Sequence, residues 1–308
     1  MSAKGFIAAG LDLGGTKIEA QVFGPGWALV ERRRVDTPQD YDGLVAALAD
    51  QMTWVTQVGG AGLPLGVAAA GLINPATGLA LTANLAASGR PLPADLARAA
   101  GRKFTWINDC RALVLSEAVL GAGRGHAMVV GIVLGTGLGG GVALNGRLLP
   151  AHSQAGGEFG HVTLNPALIA AHNLPILRCG CGRWACSETL VSGPGFARIA
   201  KAMTGRDLTA PEVTAGKGND PALAQVWEVW CALAADLLAT VFLTLDPSVV
   251  IFGGGMSKVE GLISDLERAL RGAMFSGFPL PTLRLAEGGE SSGARGAALA
   301  AWSRETSG

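Results

Sequence analysis

Short apolar runs that end in clusters of glycine recur along the chain, and they predict buried β-strands followed by tight turns. Segment 10–16 (GLDLGGT) leads into 17–24, and segment 132–138 (IVLGTGL) leads into 139–146. Both pairs have the pattern of a buried strand, a glycine turn, a second strand and a closing glycine. The chain therefore contains an internal repeat, with one copy opening each half.

A third glycine cluster, 253–255, directly follows the apolar run 249–252. Backbone N–H groups in such turns form concave anion sites, and the missing side chains let a flat ring or a sugar approach the backbone. Each turn alone fits an ordinary hairpin equally well, but three turns placed directly after apolar strands favour a ligand that carries phosphates. None of them fits the P-loop or the dinucleotide fingerprint in its strand–helix context.

Helical and strand periodicities alternate between these turns, which predicts an α/β protein. Strands are predicted at 64–69 and 104–107. Helices are predicted at 40–58, 93–100, 111–120, 194–204, 222–245, 261–271 and 294–302. The repeat predicts two related α/β domains facing each other across a cleft: residues 1–120, joined by the C-terminal helix 294–308, and residues 121–293.

Composition narrows the class of protein. The 308 residues include 24 Lys and Arg and 24 Asp and Glu, so no excess positive charge is present to neutralise phosphates of nucleic acid or membrane. The five cysteines are odd in number and clustered, which favours a reducing cytoplasm over a secreted disulfide framework. No signal peptide is predicted, because the apolar start 6–11 is short and runs into Asp12. Segment 127–144 lacks charge, but its glycines fit a strand-turn-strand better than a membrane helix.

A cysteine cluster predicts a metal site. Cys179, Cys181 and Cys186 lie within eight residues, shortly after His161, one of only four histidines. Three thiolates and one imidazole suit tetrahedral Zn²⁺. Glu158 and Glu188 bracket the cluster; either they are surface charges or they carry a second polar function on the metal scaffold.

Two aspartates are candidates for chemistry. Asp12 interrupts a buried strand directly before a glycine turn, and burial of a carboxylate is costly unless a cation compensates, so we expect bound Mg²⁺ to supply the charge. Asp109 follows the predicted strand 104–107 and precedes a helix, where a carboxylate points into the ligand crevice of an α/β fold. On the residues alone a helix N-cap is the more common explanation of Asp109.

The combination of these motifs resembles the ROK family of sugar kinases (repressors, open reading frames, kinases), and the likeness covers nearly the whole chain. The motifs that carry it are 12–17, 108–109, 135–141, 158–161, the cysteine cluster with Glu188, and 253–255. Segments 83–92, 174–182 and 192–197 are similar to the branch of the family that acts on N-acetylglucosamine. Glucokinases and fructokinases of the family usually carry a Pro-Gly-Trp-type segment where this chain has 87–89.

The resemblance implies a duplicated actin/hexokinase-like (ribonuclease H-like) fold, with ATP, Mg²⁺ and a sugar meeting in the cleft, and a homodimer. It implies that Asp109 is the general base that takes the proton of the sugar 6-hydroxyl before in-line transfer of the γ-phosphoryl group. The sugar-binding residues it implies are Gly71, Asn84, Asn108, Asp109, Glu158, His161 and Glu188. The nucleotide-binding residues it implies are Asp12, Gly14, Gly15, Thr16, Lys17, Gly135, Thr136, Gly137, Gly139, Gly253, Gly254 and Gly255. The structural zinc ligands would be His161, Cys179, Cys181 and Cys186, in a loop spanning 161–186, with the free ring nitrogen of His161 offered to the sugar.

The chain departs from the family pattern at two places. Cys110 and Arg111 follow Asp109 where Ala-Asn is frequent, and Arg111 would lower the pKa of Asp109 or pair with phosphate. Within the zinc loop, Ala185 replaces a frequent glycine and Trp184 is unusual. Neither change removes a predicted metal ligand.

The leading expectation is an ATP-dependent N-acetylglucosamine kinase that forms the 6-phosphate. A glucokinase, a fructokinase or an N-acetylmannosamine kinase of the same family is the alternative within enzymes. A sugar-responsive repressor is a different class, and the eleven residues before Asp12 are too few for a helix-turn-helix module. A purely structural zinc protein would leave Asp12 and the three glycine turns unexplained.

Overall fold

The computed structural model describes residues 5–150 and 152–306. The chain divides into two compact units. The first comprises the described parts of Met1–Arg124, Gly146–Gly156 and Glu287–Gly308, and the second comprises Gly125–Asn145 and Gly157–Ala286.

Strands and helices alternate along the chain, as an α/β protein requires. The strands are β1 Ala8–Leu13, β2 Lys17–Phe23, β3 Leu29–Asp36, β4 Leu65–Ala69, β5 Leu72–Ile73, β6 Ala80–Leu81, β7 Thr105–Asn108, β8 Met128–Leu134, β9 Leu138–Leu144, β10 Arg147–Leu148, β11 Val249–Gly253 and β12 Thr282–Leu285. The α-helices are α1 Tyr41–Gly59, α2 Leu92–Ala100, α3 Asp109–Leu120, α4 Pro166–Ala171, α5 Glu188–Val191, α6 Gly193–Thr204, α7 Ala210–Gly216, α8 Pro221–Leu245, α9 Leu262–Ala273 and α10 Ser292–Thr306. Every predicted helix and strand is present, and its ends coincide with the predicted ones or differ from them by at most four residues.

The first unit is built on a five-stranded sheet in the order β3-β2-β1-β4-β7. Strands β1 and β2 form an antiparallel hairpin, whereas β4 lies parallel to both β1 and β7. Strand β1 is buried almost throughout, which explains its continuous apolar run. The apolar side chains of α1 and α2 complete the core on this sheet.

Helix α10 packs against β1, β4 and α3 of the same unit. Glycines make this close approach possible: a Cβ on Gly10 would collide with the carbonyl of Ala294, and a Cβ on Gly66 would collide with the carbonyl of Ala297. Gly296 of the helix likewise lies against the carbonyl of Ala112. The backbones therefore touch where other residues would hold them apart.

The second unit repeats this topology. Four strands of its sheet run in the order β9-β8-β11-β12, with β8 and β9 antiparallel and with β11 parallel to β8 and β12. The order and directions match those of β2-β1-β4-β7 in the first unit. The duplication predicted from the two glycine segments is thus present in the sheets.

Helix α8 forms much of the second unit's core, where Trp227 and Trp230 stack with ring centroids 4.9 Å apart and Phe196 of α6 lies beside them. By length and composition α8 would also suffice to cross a membrane, but 72% of its most apolar window is buried in the protein, as in the core helix of a soluble protein. Segment 127–144, which lacks charge, forms β8, a turn and β9, as predicted.

Candidate active site and metal centre

In the first unit, the candidate residues gather at the carboxyl edge of the parallel strands. Asp12 of β1 is in register with Ala68 of β4, and Ala69 of β4 is in register with Asn108 of β7. The glycine turn after β1 and the start of α3 after β7 therefore leave the sheet on the same edge, which is where open α/β sheets bind ligands.

Asn108, and not Asp109, caps helix α3. The Oδ1 atom of Asn108 accepts a hydrogen bond from the N–H of Arg111 at 3.1 Å, and its Nδ2 donates to the carbonyl of Gly71 at 3.1 Å. Asp109 is the first residue of the helix, and its Oδ1 accepts from the N–H of Cys110 at 2.8 Å. The cap that the sequence suggested for Asp109 is thus supplied by its neighbour, so the second carboxylate oxygen of Asp109 is not needed to start the helix.

Two carboxylates of this edge are electrostatically coupled. Loss of hydration raises the pKa of Asp109, although hydrogen bonds from Cys110 and Asn108 partly offset the effect. The pKa of Asp12 rises to about 7, first through loss of hydration and then through the negative charges of Asp109 and Glu19, while Lys17 opposes the rise. A divalent cation would relieve this repulsion, so the residues present fit the Mg²⁺ that a nucleotide brings.

The first glycine turn lies against the loop that carries Asn84. A Cβ on Gly15 would lie 3.1 Å from the carbonyl oxygen of Asn84. The turn is fixed at Gly14, whose N–H donates to the carbonyl of Lys17 at 3.0 Å and whose carbonyl accepts from Thr37 Oγ1 at 2.7 Å. The predicted sugar residue Asn84 and the predicted phosphate turn, which includes the exposed Thr16, are therefore neighbours within one unit.

Gly71 needs to be a glycine. Its φ of +96° lies in the left-handed region, and a Cβ there would collide with the carbonyl of Leu81. Its carbonyl accepts from Asn108, so Gly71 fixes the orientation of that side chain.

The guanidinium of Arg111 contacts the segment that follows β10. Its guanidinium donates to Gln154 Oε1 at 2.8 Å and to the carbonyl of Leu149 at 3.3 Å. Burial raises the pKa of Asp109 overall, and the effect of Arg111 on this pKa or on phosphate stays a prediction.

In the second unit, two glycine turns meet at the ends of adjacent parallel strands. Gly253 of β11 is in register with Val133 of β8, so segments 135–138 and 253–255 leave the sheet together. Gly254 has a φ of +84°, and a Cβ there would collide with the carbonyl of Leu134. The predicted nucleotide residues Gly135, Thr136, Gly137, Gly139, Gly253, Gly254 and Gly255 are therefore clustered within one unit.

Segment 188–193 holds the turn 135–138 at both ends. The N–H of Gly193 donates to the carbonyl of Gly135 at 2.8 Å, and the N–H of Leu138 donates to Glu188 Oε2 at 2.9 Å. Part of the hydrogen-bonding capacity of this turn is thus already used within the protein.

The four predicted metal ligands converge. Their ligand atoms, one each from His161, Cys179, Cys181 and Cys186, all lie within 4.8 Å of one another. The Sγ atoms of Cys181 and Cys186 are 3.7 Å apart, and Cys179 Sγ is 3.6 Å from His161 Nδ1. A zinc tetrahedron with Zn–S and Zn–N bonds of ordinary length separates two sulfurs by about 3.8 Å and a sulfur from a nitrogen by about 3.6 Å. The cluster therefore fits Zn²⁺, with Nδ1 as the ligand atom of His161.

The chemistry of the thiols also fits a cation. Burial raises the pKa of Cys179 and raises the pKa of Cys186 to about 12. A hydrogen bond from the backbone of Arg183 lowers the pKa of Cys181. Without a metal ion, Cys179 and Cys186 therefore stay protonated. A metal ion would displace these protons and stabilise the site by binding the three thiolates.

Both bracketing glutamates lie at the cluster. Glu158 Oε2 is 3.8 Å from His161 Nε2, the ring nitrogen that faces away from the thiols. Glu188 Oε1 is 3.9 Å from Cys179 Sγ. Neither glutamate is an isolated surface charge.

Sequence reasoning missed three contributors. Arg183 donates to the carbonyl of His161 at 3.1 Å and so fixes the segment that carries this ligand. Gly293, at the start of α10, lies against the carboxylate of Asp12. Glu19, opposite Asp12 in the hairpin, is buried and paired with Arg34. Of these three residues, only Glu19 could have been noticed in the sequence. Glu19 and Gln21 are polar residues at alternate positions of a strand that is otherwise mostly apolar.

Comparison with known proteins identifies the family. The model of the ROK family matches residues 8–304. The chain belongs to the ROK family. It is 39% identical over 293 residues to the N-acetylgalactosamine kinase AgaK of Shewanella sp. (strain ANA-3), covering 94% of this chain and 95% of that protein. It is 35% identical over 296 residues to the N-acetyl-D-glucosamine kinase of Escherichia coli O6:H1, covering 94% and 97%.

Solved ROK structures have the same fold. The ROK hexokinase of Thermus thermophilus is similar with a TM-score of 0.85 and 32% identity, covering 98% of this chain and 99% of that one. A ROK glucokinase of Streptomyces griseus, in complex with glucose and AMPPNP, is similar with a TM-score of 0.77 and 26% identity, covering 96% and 99%. The predicted family and the predicted duplicated α/β fold are confirmed, and the predicted class of enzyme, a sugar kinase, is confirmed at the level of the family.

Proposed function

We propose that this ROK protein catalyses ATP-dependent phosphorylation of the 6-hydroxyl of N-acetyl-D-glucosamine. The observation that carries the proposal is the position and state of Asp109: it directly follows the parallel strand β7 as the first residue of α3, its pKa is raised, and Asn108 supplies the cap of α3. Several ROK relatives about 35% identical to this chain are named N-acetyl-D-glucosamine kinases, which supports the choice of sugar.

Asp109 would act as the general base. A carboxylate that has lost hydration accepts a proton more readily than one in water, and this suits removal of the proton from a sugar hydroxyl as the oxygen attacks phosphorus. The N–H of Cys110 fixes one carboxylate oxygen at 2.8 Å, so the other would face the hydroxyl.

Sugar contacts would come from two groups of residues. In the first unit they are Asn84, Gly71 and Asn108, whose Oδ1 and Nδ2 are held in place by the N–H of Arg111 and the carbonyl of Gly71. In the second unit they are Glu158, Glu188 and the Nε2 atom of His161. Zinc would hold Nδ1 of His161 and thereby fix the tautomer that presents Nε2–H.

Phosphate contacts would come from the glycine turns. The first turn offers N–H groups at Gly15 and Thr16, with Lys17 beside them, and the second unit offers those of Thr136, Gly137 and 253–255, since the N–H of Gly135 donates to the carbonyl of Gly137 at 3.0 Å. Asp12 would hold the nucleotide's Mg²⁺ through water; when bound, this ion neutralises charge on the transferring phosphoryl group.

The decisive test is Asp109→Asn. The amide keeps the shape of the side chain and cannot accept the proton, so we expect kcat to fall by about 10²–10⁴-fold while sugar binding and thermal stability stay close to wild type. Asp42→Asn, in an exposed position of α1, is the matched control and should keep full activity. Turnover by Asp109→Asn close to that of wild type would remove Asp109 from the mechanism.

A second candidate substrate is N-acetyl-D-galactosamine, because the relative with 39% identity is named for that sugar. The ratio of kcat/KM for the two N-acetylhexosamines, with glucose, fructose and N-acetylmannosamine in the same panel, would decide between them. We expect N-acetyl-D-glucosamine to have the highest value. A tenfold preference for any other sugar of the panel would replace it as the proposed substrate.

A further inference from the structure

The carboxylate of Glu188 lies between the metal cluster and a glycine turn. Glu188 is the first residue of α5 and follows the ligand Cys186 by two positions. Its Oε2 accepts the N–H of Leu138 at 2.9 Å, while Oε1 is 3.9 Å from Cys179 Sγ. A Cβ on Gly137 would lie 2.8 Å from Oε2, so the turn and the carboxylate are packed against each other.

The turn needs such support because of its composition. Five of the seven residues at 135–141 are glycines, which lose more conformational freedom on ordering than any other residue. Hydrogen bonds that fix the free turn in its binding conformation reduce the entropy cost of ligand binding.

Segment 188–193 supplies that support, because it is hydrogen-bonded to both ends of the turn. One end is the carboxylate of Glu188 on Leu138, and the other is the N–H of Gly193 on the carbonyl of Gly135. Between these ends, Thr189, Leu190 and Val191 are buried, and the side chain of Ser192 accepts the N–H of Gly195 to begin α6. This segment is thus held firmly, and its first residue lies two positions after the metal ligand Cys186 and 3.9 Å from the sulfur of Cys179.

The bond from Glu188 to Leu138 also has a consequence for phosphate. An N–H that donates to a carboxylate is not available to a phosphate oxygen, and the charge of Glu188 repels an anion nearby. Glu188 therefore does not favour nucleotide binding through its charge. It can favour binding only by fixing the backbone conformation of the turn.

We infer that Glu188 is a positioning residue for the nucleotide turn 135–138, in addition to its proposed contact with sugar, and that the metal loop thereby sets nucleotide affinity. This inference rests on the proposed assignment of that turn to nucleotide.

Calorimetric titration of Mg²⁺–AMPPNP into the sugar-free protein tests the inference. We expect Glu188→Ala to raise the Kd for the nucleotide about tenfold, because a hydrogen bond to a charged acceptor is lost and the turn becomes mobile. Glu188→Gln keeps an oxygen that accepts the N–H of Leu138, so its Kd should stay within about threefold of wild type. Glu228→Ala, which removes an exposed glutamate on α8, is the matched control and should leave the Kd unchanged.

Gly137→Ala reaches the same contact from the other side and guards against loss of folding in one variant. Its Cβ would displace Glu188, so we expect a raised Kd in the wild-type background and a much smaller further increase in the Glu188→Ala background. Thermal melting and metal content of each variant establish that the protein is folded.

The outcomes separate the two proposals. An unchanged or tighter nucleotide Kd in Glu188→Ala, with weaker binding of N-acetyl-D-glucosamine, would overturn the inference and leave the proposed function intact. Failure of the wild-type protein to bind Mg²⁺–AMPPNP at all would overturn the nucleotide assignment on which the inference rests.

Discussion

Ala185 has a backbone conformation that L-residues adopt at a cost. Its φ is +55°, yet its N–H donates to the carbonyl of Leu177 and its carbonyl accepts from Leu164, both at 2.9 Å. These two bonds join three segments of the metal loop to one another, so the left-handed conformation at Ala185 is fixed by its surroundings.

We expect Ala185→Gly to stabilise the protein by about 1 kcal/mol, since glycine adopts a positive φ without steric conflict. Denaturant unfolding at saturating Zn²⁺ measures the change in free energy. Ala269→Gly, inside helix α9, is the control and should lose about 1 kcal/mol, since glycine is unfavourable in a helix. A loss of stability of similar size in both variants would show that the conformation at Ala185 carries no strain.

The raised pKa of Asp12 makes a prediction about pH. In the folded protein the pKa of Asp12 is about 7, above the ordinary value of 3.8 that applies to the unfolded chain. Below pH 3.8 the carboxyl group is protonated in both states, and the stability that it contributes is fully present. As the pH rises towards 7 the unfolded chain ionises first, so this contribution to the stability of the folded state is lost. Asp12→Asn keeps the shape without the charge. In buffers free of divalent cations, we expect the melting temperature of this variant to exceed that of wild type at pH 8 by several degrees, and to exceed it by less at pH 5.

Differential scanning fluorimetry at the two pH values measures both melting temperatures. The difference between variant and wild type removes the effect of the other titrating groups, because these are the same in both proteins. Asp42→Asn should follow the wild-type curve. Curves of Asp12→Asn and wild type that stay parallel from pH 5 to pH 8 would contradict the assignment of a raised pKa to Asp12.

At the residue scale, much of the site could be predicted and its internal bonding could not. Residue type and local context predicted that the four candidate metal ligands converge and that Asp12 and Asp109 lie at one edge of the sheet, and the structure has both arrangements. The exchange of roles between Asn108 and Asp109 depends on where α3 begins, and a shift of one residue decides which side chain reaches the N–H of Arg111. The contacts of Arg183 and Arg111 join positions far apart in the chain, which no local pattern specifies.

At the scale of elements, the contact between α10 and the first sheet is the tightest packing that the glycines reveal. Gly66 of β4 lies under the carbonyl of Ala297, with no room for a methyl group. We expect Gly66→Ala to destabilise the protein by about 3 kcal/mol or more, because the helix must move off the sheet. Gly62→Ala, in a turn where a Cβ would meet nothing within 4 Å, is the control and should change stability by less than about 1 kcal/mol.

Denaturant unfolding followed by circular dichroism measures both variants. Equal stability of Gly66→Ala and Gly62→Ala would show that α10 accommodates the added methyl group without cost.

The elements themselves were predictable because each has a strong periodicity and clear ends. Helix α1 begins after Asp40, whose side chain accepts the N–H of Gly43, and α8 begins after Asp220 with Pro221 in its first turn. The structure also contains elements that were not predicted: β3, β5, β6, β10, β12, α4, α5 and α7. All of these except β3 hold only two to seven residues, which is too little pattern to exceed the background of loops. The sequence of β3 is largely charged and the strand is mostly exposed, so it lacks the apolar alternation of a half-buried strand. The small-residue packing of α10 was also not predicted, because glycine on a strand has several common explanations.

At the scale of the whole molecule, the metal loop is an insertion in a duplicated plan. In the first unit, the connection from the opening hairpin to the parallel strand β4 contains one long helix, α1. In the second unit, the corresponding connection to β11 contains α4 to α8 and the cysteine cluster. The duplication left a signal in the sequence because both copies kept the glycine turn, whereas the place of the insertion could be seen only once the two sheets were compared.

Removal of zinc should therefore affect the second unit first. We expect incubation with a strong chelator to lower the melting temperature and to raise both the KM for sugar and the Kd for Mg²⁺–AMPPNP, with recovery on addition of about one equivalent of Zn²⁺. Elemental analysis before and after treatment gives the metal content. Unchanged stability and binding in protein shown to be free of zinc would mean that the cluster closes without a metal.

The position of α10 has a consequence for how the protein is made. This helix is the last described element of the chain, and it covers β1 and β4, which lie far before it in the sequence. The sheet of the first unit therefore keeps one face uncovered until α10 has been synthesised, by which time the second unit already has all its strands. A chain released before Ser292 would expose the grooves at Gly10 and Gly66, so a nascent chain of this length should depend on chaperones that bind apolar surface and should be cleaved by protease more readily than the full chain.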